Sequence, residues 1–253
     1  MKPAIRLFIF FVLISVTTTV SGQKNKISLG TQIPLNYSAA YEEYIVGGIY
    51  LNYHFGYLTD PYVKVLFSEA EKRGLDPNFS TLLKGNFQRG ISHQGQIKYA
   101  PKFFKGFYVG GSFKRKNIRA IKIPYQEAAQ SFGIDLSAFE DNPFFQALID
   151  DLDFDITMTI PGVFIGKSFQ LKESNWSIYT EIAYHKIISS TSLATFTGSG
   201  NEVPLLNDPL NHEVSSALDE DGNIYSFNLG VSYTLPVSLR RAIVSVFKKK
   251  EEK

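Results

Sequence analysis

The chain has 253 residues, no cysteine, and an aromatic share of 14% carried mainly by 21 Phe and 14 Tyr. That length holds one large domain or two small ones, and the missing cysteine excludes disulfides, thiol catalysis and lipid attachment through an N-terminal Cys. The formal charge of +2 leaves no electrostatic footprint for nucleic acid, and no nucleic-acid partner is expected.

The first 22 residues read MKPAIRLFIFFVLISVTTTVSG. Lys2 and Arg6 precede an apolar run from Leu7 to Val16, and Val20-Ser21-Gly22 offers a small-residue cleavage site. The run falls short of the about 20 residues a spanning helix requires. Residues 1–22 are therefore predicted to be a secretory signal peptide. Its removal takes two of the 26 cations away and leaves 24 basic and 24 acidic side chains. No later stretch has the length and apolarity of a transmembrane helix. A closed barrel also satisfies every backbone group in lipid, so a membrane protein stays open.

Alternating segments follow in chain order. Ile27, Leu29, Thr31 and Ile33 alternate with Ser28, Gly30 and Gln32. Leu35, Tyr37, Ala39 and Tyr41 alternate with Asn36, Ser38, Ala40 and Glu42. Ile49, Leu51, Tyr53, Phe55 and Tyr57 oppose Tyr50, Asn52, His54 and Gly56. Ile91, Gly95, Ile97 and Tyr99 oppose Ser92, Gln94, Gln96 and Lys98, and Phe107, Val109, Gly111 and Phe113 oppose Tyr108, Gly110, Ser112, Lys114 and Lys116. Ile156, Met158 and Ile160 begin a further strand, with a bulge expected at Pro161-Gly162 before Val163 to Phe169. Trp176, Ile178, Thr180, Ile182 and Tyr184 oppose Tyr179, Glu181, Ala183 and His185. Tyr225, Phe227, Leu229, Val231, Tyr233 and Leu235 close the series. About eight strands result, each of membrane-crossing length.

Connections sort by length. Val46-Gly47-Gly48, Lys102 to Gly106 and Lys172 to Asn175 are short, whereas Asp60 to Gly90, Arg119 to Asp153 and Ala194 to Asn223 are long. The two classes alternate apart from a brief break at Pro34. This asymmetry predicts an even-stranded, up-and-down barrel with short periplasmic turns and long outside loops. Helix signals sit in those loops: Asp60-Pro61 as N-cap and N1 with Val63, Leu66, Phe67 and Ala70 on one face and Gly74 as stop, Asp76-Pro77 to Gly85, and Asn142-Pro143 onward. With no repeat and no low-complexity linker, residues 23–237 form one barrel domain.

The polar face of the strands is rich in Ser, Asn, Gln and Gly and poor in charge, which suits a narrow lumen filled by side chains. Tyr and Trp lie towards strand ends on the apolar face, as in aromatic girdles. Asn228, Gly230, Tyr233 and Leu235 have the spacing of a last-strand insertion signal: a polar residue, a Gly two on, and two hydrophobics at alternating positions. On that strand and in overall pattern the chain resembles small outer-membrane β-barrels of the OmpA-like transmembrane domain, a porin-like family. The resemblance implies a bacterial outer-membrane location, contact with outer-membrane lipid, and insertion machinery that reads those residues. One departure is the continuation of the chain over residues 238–253, SLRRAIVSVFKKKEEK. Leu239, Ala242, Ile243, Val246 and Phe247 there share a helical face among cations. A membrane-surface helix, a frayed tail and a docking peptide for a periplasmic partner all remain open.

By alternation Glu42, His54, Lys98, Lys114, Glu181 and His185 point into the lumen, where charges need partners or water. The expectation is an ion-pair network of Glu42 and Glu181 with Lys98 and Lys114, set against a gated ion path. His185 and Ser189 share parity and form the one candidate dyad for a lipid hydrolase, without GxSxG or a third orienting carboxylate. The Asp219 to Asn223 run lacks the spaced ligands of a calcium loop, and Asp150, Asp151, Asp153 and Asp155 read as a solvated loop base. No catalytic residue, metal site or cofactor is assigned. The expected function is a non-enzymatic outer-membrane barrel with a structural or surface-binding role. A small conduit for apolar molecules under the loop helices and a lipid hydrolase are the alternatives.

Overall fold

The computed structural model describes residues 25–101, 103–131, 151–197, 201–202, 208, 211–212, 214–216, 218 and 222–236. The signal peptide, the helix expected at 142–149, Asp150, residues 219–221 and the tail 238–253 lie outside them.

Nine strand segments follow the alternating stretches: β1 (Lys26–Ile33), β2 (Asn36–Val46), β3 (Ile49–Leu58), β4 (Phe87–Tyr99), β5 (Phe107–Ile123), β6 (Leu152–Gln170), β7 (Trp176–Lys186), β8 (Ser189–Phe196) and β9 (Asn223–Thr234). Each pairs antiparallel with its neighbour, and β9 returns to β1 from Lys26↔Thr234 to Ile33↔Phe227. β7 and β8 both lie along β6, on its C-terminal and N-terminal halves respectively. They count as one stave, so the sheet closes as an eight-stranded, all-antiparallel up-and-down barrel. Closure pairs every strand of the lower barrel on both sides, so no edge is left facing lipid there.

The two longest strands show what the alternation means. In the β5 half that follows the short turn, Phe107, Val109 and Phe113 point outward and are exposed, while Tyr108, Ser112 and Lys114 point inward. Further along the same strand Arg115, Asn117 and Arg119 take the outward positions, and Ile118, Ala120 and Ile123 the buried inward ones. β6 behaves alike: Val163 and Ile165 face out, whereas Phe154, Ile156, Met158 and Ile160 face in. Parity holds along β6 and along β5 as far as Ala120, and a register shift then turns Ile123 inward. The apolar residues change sides, because one half of the wall faces lipid and the other faces water around a packed interior.

That switch corrects the bulge expected at Pro161-Gly162. Both residues stay in register with β5, as Phe113↔Pro161 and Ser112↔Gly162. The irregularity lies on the opposite strand: Gly162 pairs with His185 and Thr159 with Ser189, so three steps on β6 face four across from it. Ile160 and Pro161 have no partner on that side. A proline lacking an N–H fits where the ladder is already open.

Among the described residues, the bounded helices at the long-loop end are α1 (Asp60–Lys72), α2 (Pro77–Gly85) and α3 (Tyr125–Ser131). The N-cap of α1 is Thr59, one residue before the expected Asp60, and Gly74 leaves the helix at φ +105. Asp76 caps α2 as expected, its carboxylate accepting from the Asn78 and Phe79 amides at 2.8 and 2.9 Å. Val63, Phe67 and Ala70 of α1, Leu75, and Phe79 and Leu83 of α2 bury themselves against Leu58, Ile118, Phe154, Ile156 and Met158. The helices thus plug the upper barrel.

Candidate functional site: the lumen and its plug

Below the plug the lumen is polar. Lys98 on β4 donates to the Glu42 carboxylate on β2, and Lys26 stands 3.7 Å from the same carboxylate. The Lys98 ammonium also lies 4.9 Å from the Tyr50 ring centre and 4.6 Å from that of Tyr108. Such faces stabilise a desolvated cation. His54 Nε2 is 2.9 Å from Gln96 Oε1. These groups lie together because each occupies an inward position in register, Glu42↔Asn52 and Asn52↔Gln96.

The other half of the expected network is arranged differently. Lys114 donates to Gln32 Oε1 rather than to a carboxylate, and Glu181 accepts from the Asn228 amide. Gln32 Nε2 is 3.1 Å from His185 Nε2, which is 3.2 Å from Ser226 Oγ. Lys116, one inward step above Lys114, donates to the Leu35 carbonyl at 2.9 Å. Lys114 and Lys116 are 0% and 1% exposed, and among the described residues neither forms an ion pair. Gln32, Ser226 and Lys116 complete the cluster, and each shares inward parity with a residue already singled out.

Three expectations at the edges of the site are corrected, and a fourth in the loop base. Ser189 is exposed while His185 is buried, because the extra residue between β7 and β8 inverts parity after Lys186. The two side chains therefore sit on opposite faces of the wall and form no dyad. Leu35 is 1% exposed rather than lipid-facing, since it lies in the turn between Ile33 and Asn36, outside both strands, whose odd residues face outward on either side of it. Leu235 is also buried: β9 ends at Thr234, and the Leu235 amide donates to the Asn25 carbonyl as the chain leaves the sheet. Asp153, read as part of a solvated loop base, is buried and accepts from Arg119 at 2.7 Å and Thr197 at 2.7 Å.

Gly230 has a direct packing role. It pairs with Gly30 across β1 and with Tyr179 across β7, and the Tyr179 ring lies over both glycines inside the barrel. A Cβ at Gly230 would stand 2.5 Å from the Leu29 carbonyl oxygen and 2.5 Å from the Tyr179 hydroxyl. Only glycine admits the ring there.

Outside, the wall is apolar over the stretch that a bilayer core spans. Leu29, Phe55, Ile97, Phe113, Val163, Ile182 and Leu229 are all exposed. Aromatic pairs mark both margins: Trp176 and Tyr233 at the short-turn end, with ring centres 4.9 Å apart, and Tyr184 and Tyr225 at the long-loop end, 5.4 Å apart. Water would not tolerate this apolar area on a monomer. Closure, apolar wall and girdles together define an integral-membrane β-barrel with a filled lumen.

In comparisons with solved structures the chain is similar to three bacterial barrels. One is Acinetobacter baumannii CarO, at 10% identity and a TM-score of 0.35 over 84% of this chain and 97% of that one. Another is the N-terminal β-barrel domain of Pseudomonas aeruginosa OprF, at 8% identity and a TM-score of 0.39 over 84% and 96%. The third is a major outer membrane protein from Thermus thermophilus, at 13% identity and a TM-score of 0.43 over 85% and 100%. No protein-family model and no curated protein sequence matches the chain. The class rests on the strand order and the wall, not on these distant likenesses.

Proposed function

We propose that this chain is a non-enzymatic protein of a bacterial outer membrane, with a structural or surface-binding role exercised through its long loops. The observation that carries a closed lumen is the depth of Lys114 and Lys116, sealed by side chains below and by the α1–α2 plug above. Two lysine ammoniums buried from water without an ion-pair partner among the described residues oppose a hydrated path, because hydration would remove the desolvation cost that burial imposes. Outer-membrane lipid is the solvent of the wall, and insertion machinery is the partner proposed for β9. Planar-bilayer recording tests the reading: full-length protein should give no stable single-channel steps, and a reproducible open state would sink it.

A conduit for small apolar molecules is the second reading. Leu66, Phe67, Leu75, Leu83, Ile118 and Met158 line an apolar gap between plug and wall. Its cavity is about 10 Å³, the room of a single water molecule, so passage would need the plug to move. Uptake of a fluorescent fatty acid into vesicles, equal with and without the protein, would dismiss this reading. Ser189→Ala should leave lipid hydrolysis at background, as in the unaltered protein.

A further inference from the structure

The outward face of β4 and β5 breaks the apolar wall at one place. Arg89, Ile91, His93 and Gly95 alternate outward along β4, and Phe113, Arg115, Asn117 and Arg119 do so along β5. The register sets His93 opposite Arg115 and Arg89 opposite Arg119. Directly opposed side chains lie about 5 Å apart, and outward neighbours along a strand roughly 7 Å apart. Three arginines and a histidine therefore lie on one face, with Arg89 and Arg115 about 14 Å apart along the strands. Arg119 is neutralised by Asp153 at 2.7 Å and Asp155 at 3.9 Å. Arg89 and Arg115 are exposed and, among the described residues, make no ion pair, while His93 is 2.5 Å from the Tyr53 hydroxyl.

The height of this field matters. On β5 the lipid-facing run ends at Phe113 and the polar outward run begins at Arg115, so the cations stand where acyl chains give way to headgroups. Immediately below them the wall is hollowed. Gly95 and Gly111 both face outward on adjacent strands; a Cβ at Gly95 would meet nothing within 4 Å, and one at Gly111 only the Gly162 carbonyl oxygen at 3.8 Å. Phe113, Ile97 and Val163 rim the hollow and are exposed. An apolar furrow leading up to two unpaired guanidiniums is complementary to an acyl chain ending in phosphate, which Arg recognises bidentately.

We infer that the β4–β5 face is a binding site for a phosphorylated glycolipid of the outer leaflet, with Arg89 and Arg115 each on a phosphate of its headgroup and the Gly95–Gly111 furrow on an acyl chain. The assignment of leaflet rests on the outer-membrane reading with the long loops outside. The glycolipid's phosphates neutralise the two cations at the bilayer margin, where burial of either alone would be costly. It also gives the barrel a fixed lipid neighbour.

The test uses full-length protein folded in detergent, with bisphosphorylated lipid A, its dephosphorylated form and phosphatidylglycerol as probes. Lipid retained after detergent exchange is counted by native mass spectrometry. Bisphosphorylated lipid A should be retained at one per barrel and the other two at least tenfold less. Arg89→Ala/Arg115→Ala should lower retention at least tenfold. Arg89→Lys/Arg115→Lys keeps the charge but not the bidentate fork and should fall between wild type and the double alanine variant. Lys186→Ala, an exposed cation on β7, should change nothing. Equal retention by the double alanine variant, equal retention of phosphatidylglycerol, or equal loss in Lys186→Ala would overturn the inference. Heat-dependent gel migration is read on every sample. A wild type without it defeats the membrane-barrel reading itself, whereas a wild type with it that holds no lipid defeats only the site. If the double variant loses the shift, each single alanine variant should still fold and bind at least threefold less.

Discussion

Replacing Phe79 with Ala tests whether the loop helices are a plug distinct from the barrel. Phe79 is fully buried on α2, and its ring meets Phe154 of β6 edge-on, with centres 5.7 Å apart and planes at 80°. Truncating a buried Phe costs about 3–5 kcal/mol, since the lost transfer energy is compounded by an unfilled cavity. Here the cost falls on the docking of α1 and α2, because Phe79 joins the plug to the wall and no strand depends on it for pairing. At tenfold per ~1.4 kcal/mol, the undocked population should rise by roughly two to three and a half orders of magnitude.

Hydrogen exchange on the protein in bilayers reads that number directly. Amides of α1 and α2 should lose at least about a hundredfold in protection in Phe79→Ala, while β1 and β9 amides and the heat-dependent gel shift stay unchanged. If strand and helix amides lose protection together, plug and wall are one cooperative unit. Unchanged helix protection would mean that Phe79 does not hold the plug. Either result refutes the two-layer picture.

The lumen and the wall give further expectations. Glu42→Gln strands Lys98 in the interior and should lower stability by about 3–5 kcal/mol in urea unfolding from vesicles, and Glu42→Gln/Lys98→Met should recover most of it. Gly230→Ala should slow folding into bilayers without any insertion machinery, because Tyr179 and the Leu29 carbonyl leave no room for a Cβ. Normal unassisted folding with failed insertion in cells would make Gly230 purely a recognition element. Lys84 on α2 hydrogen-bonds Glu71 on α1 at 2.5 Å and holds that carboxyl below its ordinary 4.5. A depressed folded value means the contact stabilises fully above pH 4.5 and is lost as pH falls through the lower value. Helix protection factors should therefore fall below pH 4.5 in the wild type, and that acid step should be absent in Glu71→Gln.

The lower barrel was legible because its pattern has a single cause. Where lipid bathes the outside, period-two alternation assigns sides without reference to contacts, and Glu42, His54, Lys98, Lys114, Glu181 and His185 all lie inward as expected. Parity says nothing about distance or partner choice. Lys98 finds Glu42, whereas Lys114 finds Gln32, a residue that charge counting passes over. The failures at Leu35, Ser189 and Leu235 share one physical origin: each lies where a strand's alternation no longer applies, in a turn, after an extra residue or beyond a strand end. One residue of slip moves a side chain through the wall.

The upper barrel was harder because two solvents write opposite patterns on one strand. Ile156, Met158 and Ile160 look like a continuation of Val163 and Ile165, yet they occupy alternate parity and face the plug. The signal was present in the outward Asp155, Thr157 and Thr159, which no lipid-facing stretch would carry. Pro161-Gly162 therefore marks the level at which the bilayer ends, and Arg115 stands beside Thr159 at that level on the neighbouring strand. The plug, the cationic field and the end of the apolar wall are then consequences of one boundary. Above it the barrel is organised like a soluble protein, and its strands give the long loops a water-facing base.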